Sequence, residues 1–149
     1  MNKKADTKWI PEQKLIITEL RGEINSEDVD KWILSLDREL SKIEDNGSFK
    51  IFVNLMDFQA VNLDVHKKYR EIIPRTLSHY GWKVGYVDMF ERANELSYSN
   101  IRGIKCVAAV HVHQDATKIN KYEENYSRDN EHYFTDIKKA EEWIYSFPI

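Results

Sequence analysis

Cysteine is almost absent from this chain. Its 149 residues contain one, Cys106, which excludes an internal disulfide and fits a reducing compartment. Glycine (5) and proline (3) are scarce as well. So few glycines leave little material for a nucleotide-phosphate cradle, and no Gly-rich phosphate loop, GxSxG elbow, HExxH or CxxC pattern occurs. No apolar run approaches the roughly 18 residues of a membrane span. Charge is not lopsided either. The 22 Lys and Arg face 25 Asp and Glu, a net of −3, and the basic residues are scattered rather than striped. A nucleic-acid footprint needs a clustered basic face, so no nucleic-acid partner is expected. The opening MNKKADTK is charged and lacks the apolar h-region of a secretory leader. Together these absences lead to the expectation of a cytoplasmic protein that does not insert in membranes.

What is present is ordinary globular material: 42% apolar and 32% charged residues. A chain of this length suits one domain, taken as 1–149. Phe49 to Leu55 is a compact apolar run with β-branched and aromatic residues, which predicts a strand buried on both faces at the centre of a sheet. Met56-Asp57-Phe58-Gln59 then turns the chain towards a long helix. In open α/β sheets, ligands gather where a strand's C-terminal end meets the next helix, so this edge is the expected working rim.

The remaining elements follow in order. Lys8 to Ile10 and Lys14 to Leu20 read as strands joined by a turn at Pro11-Glu12-Gln13. Gly22 is expected to end the second strand, and Asn25 or Ser26 to cap a helix whose stripe is Val29, Trp32, Ile33, Leu36, Leu40 and Ile43. Asn46-Gly47 stops it. Asn62 or Asp64 caps a second helix with Val65, Tyr69, Ile72, Ile73, Leu77 and Tyr80 inward. Pro74 predicts a kink or a break there. Trp82 to Met89 reads as a strand, Glu91 to Asn100 as a short helix, and Ile104 to Val112 as a strand. Asp115 caps a helix with Ile119, Tyr122 and Tyr126 inward. Glu131 to Phe134 is a short edge strand. Thr135 or Asp136 caps a last helix carrying Ile137, Ala140, Trp143, Ile144 and Phe147. Strands alternating with helices after a hairpin predict an α/β fold with a mostly parallel sheet.

Three segments together resemble the SpoIIAA-like branch of the STAS superfamily. They are LIITELRGEINSED at Leu15 to Asp28, IFVNLMDF at Ile51 to Phe58, and HYFTDIKKAEEWI at His132 to Ile144. The resemblance implies a STAS-type fold and a role in protein–protein interaction, or in binding a small or apolar ligand. Phosphoregulated members carry Asp-Ser-Ser-Gly after the central strand. Here Val61-Asn62-Leu63-Asp64-Val65 offers neither hydroxyl nor glycine, so no phosphoserine switch is expected there.

Candidate chemistry is sparse. His111 and His113 stand two apart on a strand and point to one face, where they could share a metal completed by Asp115, Asp88 or His132. The plainer reading is two polar residues finishing a strand. Cys106, mid-strand, reads as a small core hydrophobe. Asp57, Asp64 and Asp88 could converge on one rim as a base or cation site, or simply cap and turn the chain. Lys67, Lys68, Arg70 and Arg75, near His66 and His79, could dock an anionic ligand or acidic partner, or form a solvated helix face interrupted by Glu71. The tyrosines are numerous: Tyr86, Tyr98, Tyr122, Tyr126 and Tyr133, together with Trp82 and Phe90, suit an interface or a pocket wall. The apolar C-terminal Tyr145 to Ile149 could seal the core or insert into a second subunit.

The leading expectation is therefore a non-enzymatic interaction or regulatory module. It would act through Asp57, Phe58, Asp64 and Lys67, with an unknown protein partner or as a homodimer. The alternative is a binder of a small apolar or amphipathic ligand walled by Trp82, Tyr86 and Phe90. A metal-dependent hydrolase using His111 and His113 comes third. No catalytic residue and no cofactor are assigned.

Overall fold

The computed structural model of the chain describes residues 3–89 and 92–149, so the expected wall residue Phe90 lies outside the described residues. Strand β1 (Lys4–Ile10) turns back through Pro11–Gln13 into β2 (Leu15–Ile24). Helix α1 (Ser26–Leu40) leads to β3 (Ser48–Asn54), and a three-residue strand β4 (Phe58–Ala60) follows. Helices α2 (Leu63–Arg70) and α3 (Ile72–Ser78) come next, then an irregular stretch, then β5 (Lys105–Val112). Helix α4 (Ala116–Tyr126), strand β6 (Glu131–Phe134) and helix α5 (Ile137–Ser146) complete the order. The sheet runs β1-β2-β3-β5-β6; β1 and β2 are antiparallel, and every other pairing is parallel.

β3 is the centre, as its composition predicts, because neither of its faces meets water. Phe49, Ile51 and Val53 pack into a cluster with Trp32 and Leu36 of α1 and Ile73 and Leu77 of α3. Phe52 faces the other way, against Ala108 and Val110 of β5 and Ala140 and Ile144 of α5. Each such side chain contributes roughly 1.5–3 kcal/mol on burial. Lys50, on the same face as Phe52, is buried too. Its Nζ donates to the carbonyls of Tyr145 (3.3 Å) and Phe147 (3.0 Å), which places a cation on the unpaired C-terminal carbonyls of α5.

Capping sets where the helices start. Asn25 Oδ1 accepts from Asp28 N while Asp28 Oδ2 accepts from Asn25 N, a reciprocal capping box. Asn62, Asp115 and Asp136 cap α2, α4 and α5 through their side chains. Trp32 anchors α1 to the hairpin. Its indole N–H donates to Thr18 Oγ1 (2.6 Å), which also bonds Thr7.

Five expectations are corrected. Gly22 does not end β2. It takes a positive φ of 93°, and the strand runs on to Ile24 because the β4 segment supplies partners for Gly22, Glu23 and Ile24. The chain therefore does not pass directly from Met56 into a helix. Asp57 adopts a left-handed φ of 66°, and β4 intervenes. The second helix is two short ones parted at Glu71, which leaves Pro74 in the first turn of α3, where its missing N–H costs nothing. Finally, 82–89 is not a strand. β5 takes the place beside β3, and 82–89 pairs with no strand. Its apolar residues Trp82, Val84 and Val87 are buried as an irregular cover on the core. Between Arg92 and Asn100 only a single 3-10 turn, Ala93–Glu95, forms where a short helix was expected.

Candidate ligand cavity

The parallel strands β3 and β5 stop at neighbouring points, tied by Leu55 N donating to Val112 O (2.8 Å). Beyond that edge the helices diverge over a cavity of about 480 Å³, within the roughly 300–1,000 Å³ range of small-molecule sites. The sheet contributes Val53, Leu55, His111, Val112 and His113. Helical spacing then sets the walls. On the α2–α3 side, His66, Tyr69, Arg70 and Ile73 fall at i, i+3, i+4 and i+7. On α4, Asp115, Lys118, Ile119 and Tyr122 repeat the same spacing. Tyr86 and Met89 from the irregular stretch, and Tyr133 from β6, close the remaining side.

The inner wall is aromatic. The His111 and Tyr133 rings stack at 4.8 Å and 13°, and Tyr86 and Tyr122 stack at 5.3 Å and 26°. Tyr86 meets His111 edge-on at 5.6 Å and Tyr133 at 6.1 Å. Such edge and offset contacts hold rings rigidly without polar bonds. Burial pushes the Tyr86 and Tyr133 hydroxyls upward, so they stay neutral.

Behind this wall sits Glu131, fully buried. Its Oε1 accepts from Gly85 N (2.9 Å) and from the Arg128 guanidinium, and its Oε2 pairs with His111 Nε2 at 2.9 Å. Burial alone would raise this carboxyl. The bonds from His111 and Arg128 outweigh burial and hold it below its ordinary value. An ionised carboxylate only accepts, so His111 carries its proton on Nε2. Gly85 is required at this approach, since a Cβ there would lie 2.4 Å from the Tyr126 carbonyl oxygen.

The mouth is cationic. Arg70, Lys118 and Lys121 border it, with His66 and His113 between. His113 Nδ1 accepts from Asp115 N (3.0 Å), which places its proton on Nε2 in the neutral ring. Burial first, then Lys118, pushes both histidines below their usual range; Arg70 adds to this at His66. Burial and Arg70 lower Lys118 itself against the opposing pull of Asp115.

The residues singled out from sequence divide sharply. Tyr86, His111 and His113 line the cavity. Asp57, Asp64 and Lys67 are exposed and do not line it. Asp57 N donates to Gln114 Oε1 in a turn, and Asp64 sits in the first turn of α2. Phe58 is buried against Tyr69, ring centroids 4.1 Å apart, one layer behind the wall. Trp82 is in the core under the Arg128 guanidinium, 4.8 Å from its ring centre, and does not line this cavity. Phe90 is outside the described residues. The acids Asp57, Asp64 and Asp88 do not join the cavity lining. The groups considered for a shared metal have other partners: His111 binds Glu131, His132 binds Glu123 (2.8 Å), and Asp115 caps α4. Among the described residues, no group of three His, Cys, Asp or Glu is placed to hold a metal ion. Cys106 is buried, and burial pushes its thiol up.

Lys118, which lines the cavity, and Glu131, which lies behind its wall, are site residues that the sequence did not single out. Lys118 carried a signal, since it stands four before Tyr122 on one helix face. Glu131 carried none, because its meaning depends on Gly85 and Arg128 arriving from elsewhere. Among the described residues, no helix is long and apolar enough to cross a membrane. A scan against models of protein families, a search of curated proteins and a search of solved structures each found no match. What fold and site together define is an α/β protein with a mostly parallel mixed sheet and a ring-walled cavity at its C-terminal strand edge.

Proposed function

We propose that this chain is a non-enzymatic binding module, a carrier or sensor, for a small amphipathic ligand held in the cavity above β3 and β5. The observation that carries the reading is the cavity itself: about 480 Å³, with tyrosine rings inside and charged side chains at the mouth. Apolar walls with a few polar groups at one end suit a ligand whose two ends differ in the same way. The SpoIIAA-like, STAS-type assignment belongs to this proposal. It rests on the three motifs and on the agreement between their order and that of the hairpin, the central strand and the last helix.

A neutral fluorescent probe, N-phenyl-1-naphthylamine, tests the cavity. One molecule should bind per chain with an emission rise. Filling the cavity by Thr117→Trp or Met89→Trp, both exposed lining positions, should weaken binding by about tenfold or more, ~1.4 kcal/mol. Binding that ignores both tryptophans would place the probe elsewhere and remove the reading.

A second reading keeps the rim after β3 as a contact surface between two copies. Val61 is 44% and Leu63 64% exposed there, on either side of the helix cap Asn62. Sedimentation equilibrium decides it. A dimer that Leu63→Asp converts to monomer supports the contact; a wild-type chain that stays monomeric at every concentration ends it.

A further inference from the structure

Among the described residues, three cations that border one opening, the cavity mouth, have no acid bound to them, while several cations around them do. Lys68 pairs with Asp30 (2.7 Å), Arg75 faces Glu71 (4.0 Å) and Arg128 lies on Glu131. Among the described residues, Arg70, Lys118 and Lys121 form no ion pair, although all three border the same opening. Among the described residues, Asp115 is the single acid of the lining, and its Oδ1 is engaged as the cap of α4, accepting from Lys118 N at 3.1 Å. The nearest buried carboxylate, Glu131, already has its charge matched by Arg128 and further bonds from Gly85 N and His111 Nε2, so it weighs little against an incoming anion. The crowding has an electrostatic trace. Arg70 acts on Lys118, burial with Lys118 and Arg70 disfavours positive charge at His66, and burial with Lys118 does so at His113. Half-buried cations that repel one another are costly unless a counter-charge joins them. Lys118 Nζ also lies 5.6 Å from the Tyr122 ring centre, at the junction between the cationic mouth and the aromatic wall.

We infer that the cavity takes an organic anion, an apolar ring-bearing body with one acid group, the body lying against Tyr86, Tyr122 and Tyr133 and the acid group held at the mouth by Arg70 and Lys118. This rests on the cavity being a ligand site and names the class of ligand. Arg70 offers a planar fork suited to two acid oxygens, and Lys118 offers a point charge from the opposite helix. An acid bridging α2 and α4 supplies the counter-charge that neither helix provides.

Isothermal titration with three matched probes tests it: 2-naphthoate, 2-naphthalenemethanol and 2-naphthylmethylamine, at neutral pH and low salt. The acid should bind about tenfold or more tighter than the alcohol, and the amine more weakly than either. Raising salt should weaken the acid and leave the alcohol unchanged. In Arg70→Gln/Lys118→Gln the acid should fall to the level of the alcohol, whose unchanged affinity shows the cavity intact. Equal binding of acid and alcohol to the wild type overturns the anion assignment while leaving the cavity reading standing. A preference for acid that survives both substitutions and high salt overturns it as well. If none of the three binds, the cavity reading and the ligand class fall together.

Discussion

Glu131→Ala should lower the free energy of unfolding by about 3–5 kcal/mol, since it breaks a buried ion pair from one side. At this chain length that is a fall of roughly 6–20 °C in Tm. The carboxylate serves three donors from three parts of the chain: Gly85 N, the Arg128 guanidinium and His111 Nε2. Alanine leaves all three without their acceptor, and two of the three lie in the cavity wall or directly behind it. Glu131→Gln keeps one oxygen and should cost less. Acid titration separates the charge from the shape. The folded carboxyl is held below its ordinary 4.5. The unfolded chain therefore takes up a proton first as pH falls, so the stabilisation is whole above about pH 4.5 and drains as pH drops through the folded value. Urea unfolding of wild type and Glu131→Gln across that range should show the acid limb flattened in the variant. A loss below about 1 kcal/mol for Glu131→Ala would mean that water replaces the carboxylate, and the wall would not depend on it.

Trp32→Ala should cost a similar amount, about 3–5 kcal/mol, by a different route. Trp32 is wholly buried between α1 and the sheet, donates to Thr18 Oγ1 at 2.6 Å, and stacks on Tyr69 at 6.3 Å. Alanine leaves a void where an indole was. Trp32→Phe keeps most of the volume and loses the hydrogen bond, so it should cost about 0.5–1.5 kcal/mol from that bond. Because Tyr69 lines the cavity, the alanine variant should also bind N-phenyl-1-naphthylamine more weakly at temperatures where it remains folded. Equal losses for alanine and phenylalanine would assign the effect to the Thr18 bond rather than to packing.

Periodicity and capping made most of the elements legible. Phe49 to Leu55 reads as a strand because it is apolar at successive positions, and that is what burial on two faces demands. Asn25, Asn62, Asp115 and Asp136 mark helix starts because a short polar side chain satisfies the free N–H groups there. The failures share a cause. Trp82 to Met89 has strand-like composition, yet the place beside β3 goes to β5, from further along the chain, and the apolar residues of 82–89 are buried without a ladder. Gly22 looked like a stop because its partner, Phe58, lies far along the chain. The site divides in the same way. Tyr86 and the two histidines could be named from residue type and position on a strand. Asp57, Asp64 and Lys67 were named from sheet topology, which locates the edge correctly but not the side of the helix that faces it. Lys67 is exposed, whereas its neighbours His66 and Arg70 line the cavity.

The irregular cover at 82–89 bears on how such a protein diversifies. Tyr86 and Met89 form part of the cavity wall, yet they belong to no strand and no regular helix. The sheet and its flanking helices tolerate little change, since their residues serve the core. A connecting stretch accepts insertion and substitution far more readily. Within that stretch Trp82, Val84 and Val87 serve the core, so the freedom to change falls to Met89, which is exposed. Under the proposed function, change at Met89 would alter the apolar contacts of the ligand and leave Arg70 and Lys118 in place.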